Sequence, residues 1–297
     1  MKHNNTLRAL TTLICSLCVA ATVSAATFTK EVNYEFDASD FKKLAVHVGA
    51  GRIEASGTDT NKIQLNVVLK TKASNEAKAN DILDNAEILI DESGDELSLK
   101  FKSPRKAKSI FSFRRYSLQA EVTVILPKEY EVKLFTGSGG IDVTNVSGVV
   151  VLDTGSGNIS GSELSGVIAA DTGSGSIKLR NIAGSLDADT GSGSVNADGE
   201  IHKFRADTGS GSVRIRTLTD ITEKSVADTG SGSVHIELPA QASFALDADV
   251  GSGRIDCGFP MEVTYKTKHR LKGNVNGGGV LIVGDTGSGG INIQPIN

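Results

Sequence analysis

Seven aspartates that recur in one short motif are the residues of this sequence with the clearest capacity for chemistry. Each begins the string Asp-Thr-Gly-Ser-Gly, with Val in place of Thr in one copy. Oxygen ligands at regular intervals could bind Ca²⁺, as Gly- and Asp-rich β-rolls do. Those rolls have a Gly-Gly-x-Gly-x-Asp nonapeptide, which is absent here. We therefore favour turn carboxylates that accept hydrogen bonds from nearby N–H groups or Ser hydroxyls, and calcium is the alternative. The seven residues are Asp153, Asp171, Asp189, Asp207, Asp228, Asp249 and Asp285.

A second candidate is a basic segment, residues 102–115, which contains six cations, no carboxylate and interspersed aromatic residues. Because the whole chain has a net charge of −4, such a segment creates a local positive potential on an acidic protein. This pattern predicts contact with an anionic glycolipid, a membrane surface or an acidic partner. The alternative is a solvated crossover loop. The predicted contact residues are Lys102, Arg105, Lys106, Lys108, Phe111, Phe113, Arg114 and Arg115.

The other reactive side chains are scattered. The histidines after residue 25 follow no metal-ligand spacing, and Cys257, the one cysteine after that point, fits a small buried side chain. A β-helix enzyme acting on polysaccharides would need paired carboxylates at one cleft and usually aromatic platforms, whereas this chain has near-identical repeats and no Trp. We expect no catalysis and no cofactor, and we keep such an enzyme only as the weakest alternative. The mild acidity also argues against nucleic acid.

The elements that must position these residues follow from the repeat. The motif, led by Phe135 in its first copy, recurs every 18 residues to Asp207, then after 21, 21 and 36 residues. We interpret the longer intervals as a bulged loop or a decayed repeat. The residue six positions after each Asp is β-branched and its follower is polar, which indicates a half-buried strand. Five of these residues should stack in one internal ladder: Ile159, Ile177, Val195, Val213 and Val234.

A second strand precedes each Asp, and the Gly-Ser-Gly turn joins the two strands. The glycines would supply positive φ values, and the recurrent Ser and Thr would bond the turn backbone. We therefore predict an all-β fold, a flattened parallel β-helix with about 18 residues per coil and ~4.8 Å between coils. Residues 135–297 form this repetitive solenoid in our interpretation.

Residues 26–134 read as a strand-rich cap with one short helix near residues 75–86 and the basic segment. A cap is needed because an open β-edge invites aggregation. The string Val48-Gly49-Ala50-Gly51-Arg52-Ile53 returns almost unchanged at residues 250–255. This likeness indicates that the cap is a degenerate start of the same solenoid rather than an independent fold.

The first 25 residues are typical of a secretory signal. Lys2 and Arg8 precede an apolar run from Ala9 to Val23 that is too short to span a bilayer, and small residues favour cleavage after Ala25. We therefore expect an exported protein that is periplasmic, extracellular or on the cell surface.

The strand-rich start, the Ile125-Leu126-Pro127 string and the train of Gly-Ser-Gly-x-Ile motifs resemble a family of exported bacterial proteins called putative adhesins, related to head GIN domains. The resemblance covers nearly all of residues 26–297. It implies a β-solenoid that serves as an adhesin or interaction scaffold for an unknown envelope partner, and it supplies no catalytic residues.

Overall fold

The computed structural model describes residues 26–102 and 117–296 of the 297-residue chain. The N-terminal part has the strands β1 (Ala26–Asp37), β2 (Lys43–Ala50), β3 (Ile53–Thr58), β4 (Lys62–Ala73), β5 (Glu87–Ser93), β6 (Glu96–Lys102) and β7 (Leu118–Pro127), with helix α1 (Glu76–Asp84) between β4 and β5. The central strands are β8 (Glu131–Ser138), β9 (Ile141–Thr144), β10 (Ser147–Thr154), β11 (Ile159–Ser162), β12 (Ser165–Ser174), β13 (Ile177–Ser192), β14 (Val195–Ser210) and β15 (Val213–Thr217). The last strands are β16 (Ser225–Ser231), β17 (Val234–Leu238), β18 (Phe244–Ser252), β19 (Ile255–Cys257), β20 (Met261–Lys266), β21 (Arg270–Val275), β22 (Leu281–Ser288) and β23 (Ile291–Pro295).

Parallel pairing between successive repeats forms the predicted solenoid. Each coil has a leading strand that runs into the Gly-Ser-Gly turn and a trailing strand that follows it; in β13 and β14 the trailing and leading strands are continuous. The predicted inner ladder is confirmed, because its five side chains are in register and are fully buried. Alternate residues point into the core, so the period-2 pattern of the sequence becomes the wall of the coil.

A row of buried threonines joins each coil to the one before it. The Thr190 hydroxyl donates a 2.8 Å hydrogen bond to the carbonyl oxygen of Gly175, and Thr208 does the same to Gly193 at 2.8 Å. Thr136, Thr154, Thr172, Thr229 and Thr286 repeat this contact in their own coils. The Thr of the motif, and not its Asp, therefore satisfies the turn backbone.

Close coil stacking explains the glycines better than backbone conformation alone. A Cβ added at Gly155 would lie 2.7 Å from the carbonyl oxygen of Gly137 in the preceding coil, although Gly155 has no positive φ. At Gly157 both reasons apply, because φ is +156° and a Cβ would lie 2.0 Å from the Gly139 oxygen. Our expectation that positive φ values account for the turn is therefore only partly correct.

At the N-terminal end, the first coil lies inside the stack. The leading strand β2 pairs in parallel with β8 on one side and with β6 on the other, and β3 pairs likewise with β9 and β7. Antiparallel strands then cover the outer edges: β5 covers β6, β4 covers β7, and β1 covers β4. Parallel coil pairing thus begins at Lys43, well before residue 135, where we predict the repetitive solenoid to start.

Helix α1 begins at Glu76, one residue after the Asn75 start that we predict from sequence. Its N-cap is Asn75, whose side-chain oxygen accepts a 3.0 Å hydrogen bond from the Lys78 N–H. The buried residues of the helix are Ala79, Ile82 and Leu83, which pack on the cap.

At the C-terminal end, the final coil is also inserted. Strand β22 lies between β16 and β18, and β23 lies between β17 and β19. The chain reaches this position through the hairpin β20–β21, since β21 pairs antiparallel with the outer edge of β18 before residues 276–280 lead to β22 on its inner side. The 36-residue interval is therefore not a decayed repeat. It holds a hairpin and a change in coil order.

Candidate functional site

The seven repeated aspartates align in one continuous row on the outer surface of the leading strands. Register pairs each Asp with the Asp of the next coil, and every side chain is exposed or half-buried. The inserted final coil alters the order at one end. We call these seven aspartates the Asp row. Their order along the stack is Asp153, Asp171, Asp189, Asp207, Asp228, Asp285 and Asp249.

None of these carboxylates accepts a hydrogen bond from a turn N–H or a Ser hydroxyl within residues 26–102 and 117–296. Our expectation of turn-bonded carboxylates is wrong, because the Asp points outward while the neighbouring Thr points inward and bonds the backbone. Arg205 instead lies over the middle of the row, 3.2 Å from Asp187, 3.7 Å from Asp189 and 3.4 Å from Asp207.

A second arginine clamps the end of the row. Arg270 on β21 contacts Asp247 at 2.9 Å and Asp249 at 3.2 Å, and Lys272 adds a contact to Asp247 at 2.8 Å. Sequence reasoning missed both arginines. The position of Arg205, two residues before an Asp of the motif, offered a signal, whereas Arg270 reaches the row only through the antiparallel hairpin.

The charges of the row follow from these neighbours. Partial burial, followed by repulsion between adjacent carboxylates, raises the pKa of Asp171, Asp228 and Asp285. By contrast, the hydrogen bond from Arg270 lowers the pKa of Asp247. The row is thus an acidic stripe whose repulsion is relieved at two places.

Calcium would need six to eight oxygen ligands around one ion. The row supplies single outward carboxylates, one from each coil, and among the residues that the structure describes no group of three or more His, Cys, Asp or Glu is placed to hold a metal ion. Calcium binding by the row stays a prediction.

His47 and Cys257 are both partly buried, and burial shifts the pKa of each. His47 stacks on Phe135 with ring centroids 4.6 Å apart, next to the end of the Asp row, and burial lowers its pKa. Cys257 is half-buried on the trailing strand of the outermost coil, and burial raises the pKa of its thiol. This pKa direction opposes thiolate formation and thus a nucleophilic role.

Of the eight residues predicted in the basic segment, only Lys102 belongs to the described part of the chain. It is exposed at the end of β6, where it pairs with Glu87 of β5. The other seven, Arg105 through Arg115, lie outside the described residues, as does the predicted signal segment 1–25. In the sequence, the basic segment comes between β6 and β7, and both of these strands lie at the N-terminal end of the stack.

A cleft at the opposite end of the solenoid was not predicted from sequence. It has a volume of about 600 Å³ and lies between β19 and the hairpin β20–β21. We call it the end cleft; its principal lining residues are Arg254, Ile255, Asp256, Cys257, Met261, Val263, Lys266, Lys268 and Leu271. It arises because the sheets of leading and trailing strands end at different places, which no local sequence pattern encodes.

Comparison with solved structures gives matches across about nine-tenths of the chain. A putative adhesin from Bacteroides fragilis is 14% identical with a TM-score of 0.44, and the match covers 90% of this chain and 97% of that one. A putative cell adhesion protein from Clostridium sporogenes is 15% identical with a TM-score of 0.29, over 91% of this chain and 100% of that one. A putative adhesin from Parabacteroides distasonis is 11% identical with a TM-score of 0.36, over 90% and 97%. No curated protein matches the sequence.

Within the described residues, no helix has the length and apolar character needed to cross a bilayer. The predicted relation to head GIN domains stays a prediction. The model of the Toastrack DUF4097 family matches residues 41–294, which include every parallel coil of the solenoid. By that match the chain belongs to the Toastrack DUF4097 family.

Proposed function

We propose that this protein is an exported, non-catalytic component of the bacterial cell envelope that acts as an adhesin or interaction scaffold. The observation that carries the proposal is how each repeat divides its side chains between the core and the outer surface. Within the described coils, the inward positions of the motif serve packing and coil-to-coil hydrogen bonds, while the outward positions form a repeated, charged surface. Such a surface suits binding to an extended partner better than catalysis at one point. The signal-like residues 1–25 support export.

The first binding site that we propose is the basic segment. Lys102 and Leu118, which lie just outside the undescribed residues of this segment, both belong to the outermost parallel coil at the N-terminal end of the stack. The segment carries six cations in a chain whose net charge is −4, and Phe111 and Phe113 could enter a lipid interface where the charges bind. The proposed partner is an anionic glycolipid or membrane surface.

Co-sedimentation with liposomes tests this proposal. The purified protein should sediment with anionic vesicles and not with neutral ones at low ionic strength, and Arg114→Glu combined with Arg115→Glu should weaken binding several-fold without changing the melting temperature. Exposed charges are screened over ~10 Å at about 0.1 M salt, so binding should fade as salt is added.

The matched control is Lys178→Glu with Arg180→Glu, which reverses two exposed cations in the middle of the stack. This variant should bind like the parent protein. Equal binding by the Arg114 and Arg115 variant, or no binding of the parent protein to anionic vesicles, contradicts a role for the basic segment.

A further inference from the structure

The two sheets of the solenoid end at different places at its C-terminal end. The sheet of leading strands continues beyond β18 through the antiparallel strands β21 and β20. The sheet of trailing strands stops at β19, which pairs with β23 and, within the described residues, with no other strand. One strand position beside β19 is therefore open, and the end cleft occupies that position.

The backbone of β19 presents hydrogen-bonding groups to this open position. On the paired side, the Ile291 N–H donates to the Arg254 carbonyl at 2.9 Å, and the Gly258 N–H donates to the Ile293 carbonyl at 2.8 Å. Alternate residues of a strand direct their N–H and C=O groups to opposite edges. Ile255 and Cys257 therefore direct theirs into the end cleft.

The side chains of the end cleft combine an apolar floor with a cationic rim. Leu271 is buried at the base, while Met261 is half-buried and Val263 is 50% exposed. The rim carries Arg254, Lys266 and Lys268, and none of these three forms an ion pair with another described residue. Asp256 is the single carboxylate of the lining, so the net charge of the cleft is positive.

We propose that the end cleft binds an extended acidic peptide segment of a protein partner, which adds as a further strand to the open edge of β19. Strand addition uses main-chain hydrogen bonds for affinity and alternate side chains for specificity. In the bound segment, one set of alternate side chains would be apolar and meet the floor, and acidic side chains would meet the three cations. A lipid chain would leave the donors and acceptors of β19 unused, which favours a peptide. The inference does not depend on the basic segment, whose flanking strands β6 and β7 lie at the N-terminal end of the stack.

A designed peptide tests the inference with the intact protein. The probe is a fluorescently labelled, end-blocked peptide of alternating Glu and Val, and binding is followed by fluorescence anisotropy. We expect saturable binding that weakens at least about ten-fold, ~1.4 kcal/mol, in the Lys266→Glu with Lys268→Glu variant. The Lys178→Glu with Arg180→Glu variant should bind like the parent, and thermal melts should show that both variants stay folded.

Two further peptides separate strand addition from simple charge attraction. Replacing Glu by Lys in the probe should abolish binding. Methylating alternate backbone nitrogens should also abolish it, because the methyl groups remove edge hydrogen bonds while the charge stays the same. Unchanged binding of the methylated peptide, or no saturable binding of the acidic probe, overturns the proposal.

Vesicle binding by the same variant tests whether the end cleft binds lipid instead of a peptide. If the Lys266 and Lys268 variant loses binding to anionic vesicles while its affinity for the peptide is unchanged, the cleft serves lipid and the proposal is wrong. The Arg114→Glu with Arg115→Glu variant should keep its affinity for the peptide. Failure of the basic segment to bind vesicles and failure of the cleft to bind peptide are therefore separate results.

Discussion

At the scale of single residues, the carboxylates of the leading-strand surface differ in what their neighbours do to their charge. Asp171 lies between Asp153 and Asp189, and partial burial and these two charges raise its pKa. Asp247 is held by Arg270 and Lys272, and its pKa is lowered. Ionised Asp171 therefore destabilises the folded protein, whereas ionised Asp247 stabilises it.

Replacing Asp171 by Asn should stabilise the protein at neutral pH by roughly 0.2–1 kcal/mol, the usual size of a cross-strand pair. A raised folded-state pKa means that the destabilisation is present above that pKa and vanishes below the unfolded value of 3.8. The gain in melting temperature should therefore disappear near pH 3. Thermal melts at about pH 7 and pH 3 measure both effects.

The control, Asp247→Asn, should have the opposite sign. Because its folded-state pKa is lowered, its contribution is present above 3.8 and is lost as pH falls through the folded-state pKa. This variant should melt at a lower temperature at neutral pH. A lower melting temperature for Asp171→Asn at neutral pH would show that Asp171 has a stabilising partner.

At the scale of the coil, the sequence predicted the strands well and the turns only in part. The inner ladder from Ile159 to Val234 could be predicted because a period of two places a whole set of residues on one face. The role of Thr190 was predicted only in general terms, since hydroxyl contacts to another coil depend on stacking geometry. The same holds for Gly155, because a contact between coils leaves no signal in the turn itself.

Gly191→Ala should therefore destabilise the protein by about 1–3 kcal/mol, the usual cost of overpacking. A Cβ at this position would lie 2.7 Å from the carbonyl oxygen of Gly173, so two backbones must separate. Gly140→Ala is the control, since its Cβ would meet its nearest atom at an ordinary 3.4 Å and other coils carry side chains there, such as Ser176 and Ser194. Chemical denaturation measures the difference, and equal stabilities would refute the stacking explanation.

At the scale of the whole molecule, the order of coils is the feature that sequence reasoning missed. Asp249 and Asp285 begin nearly equivalent motifs, so the repeat pattern alone does not determine which coil lies outside. The hairpin β20–β21 decides the order because it covers β18 from the outer side. The same arrangement leaves β19 without an outer neighbour among the described strands and creates the end cleft. Of the two candidate sites predicted from sequence, the Asp row forms a continuous row. Its contact with Arg270 depends on this end structure, as the end cleft does, whereas its contact with Arg205 does not.

Hydrogen exchange should reveal the inserted coil. The amides of β22 and β23 should be as protected as those of β14, although they lie near the end of the sequence, because both edges of each strand are bonded. Strand β20, which pairs with β21 alone among the strands that the structure describes and is mostly exposed, should exchange much faster. Mass spectrometry of peptic fragments resolves these segments. Equally fast exchange in β23 and β20 would contradict the inserted order.

The inserted final coil also has a consequence for how the chain acquires its structure during synthesis. Residues 244–257 leave the ribosome before residues 281–295, and their motif is equivalent to that of the later coil. The earlier segment is therefore free to stack directly on residues 225–238, where it occupies the position that the later segment takes in the final fold. Reaching the final order then requires this premature contact to open and admit the last coil. We therefore expect the similarity of the repeats, which makes the stack regular, to slow its completion.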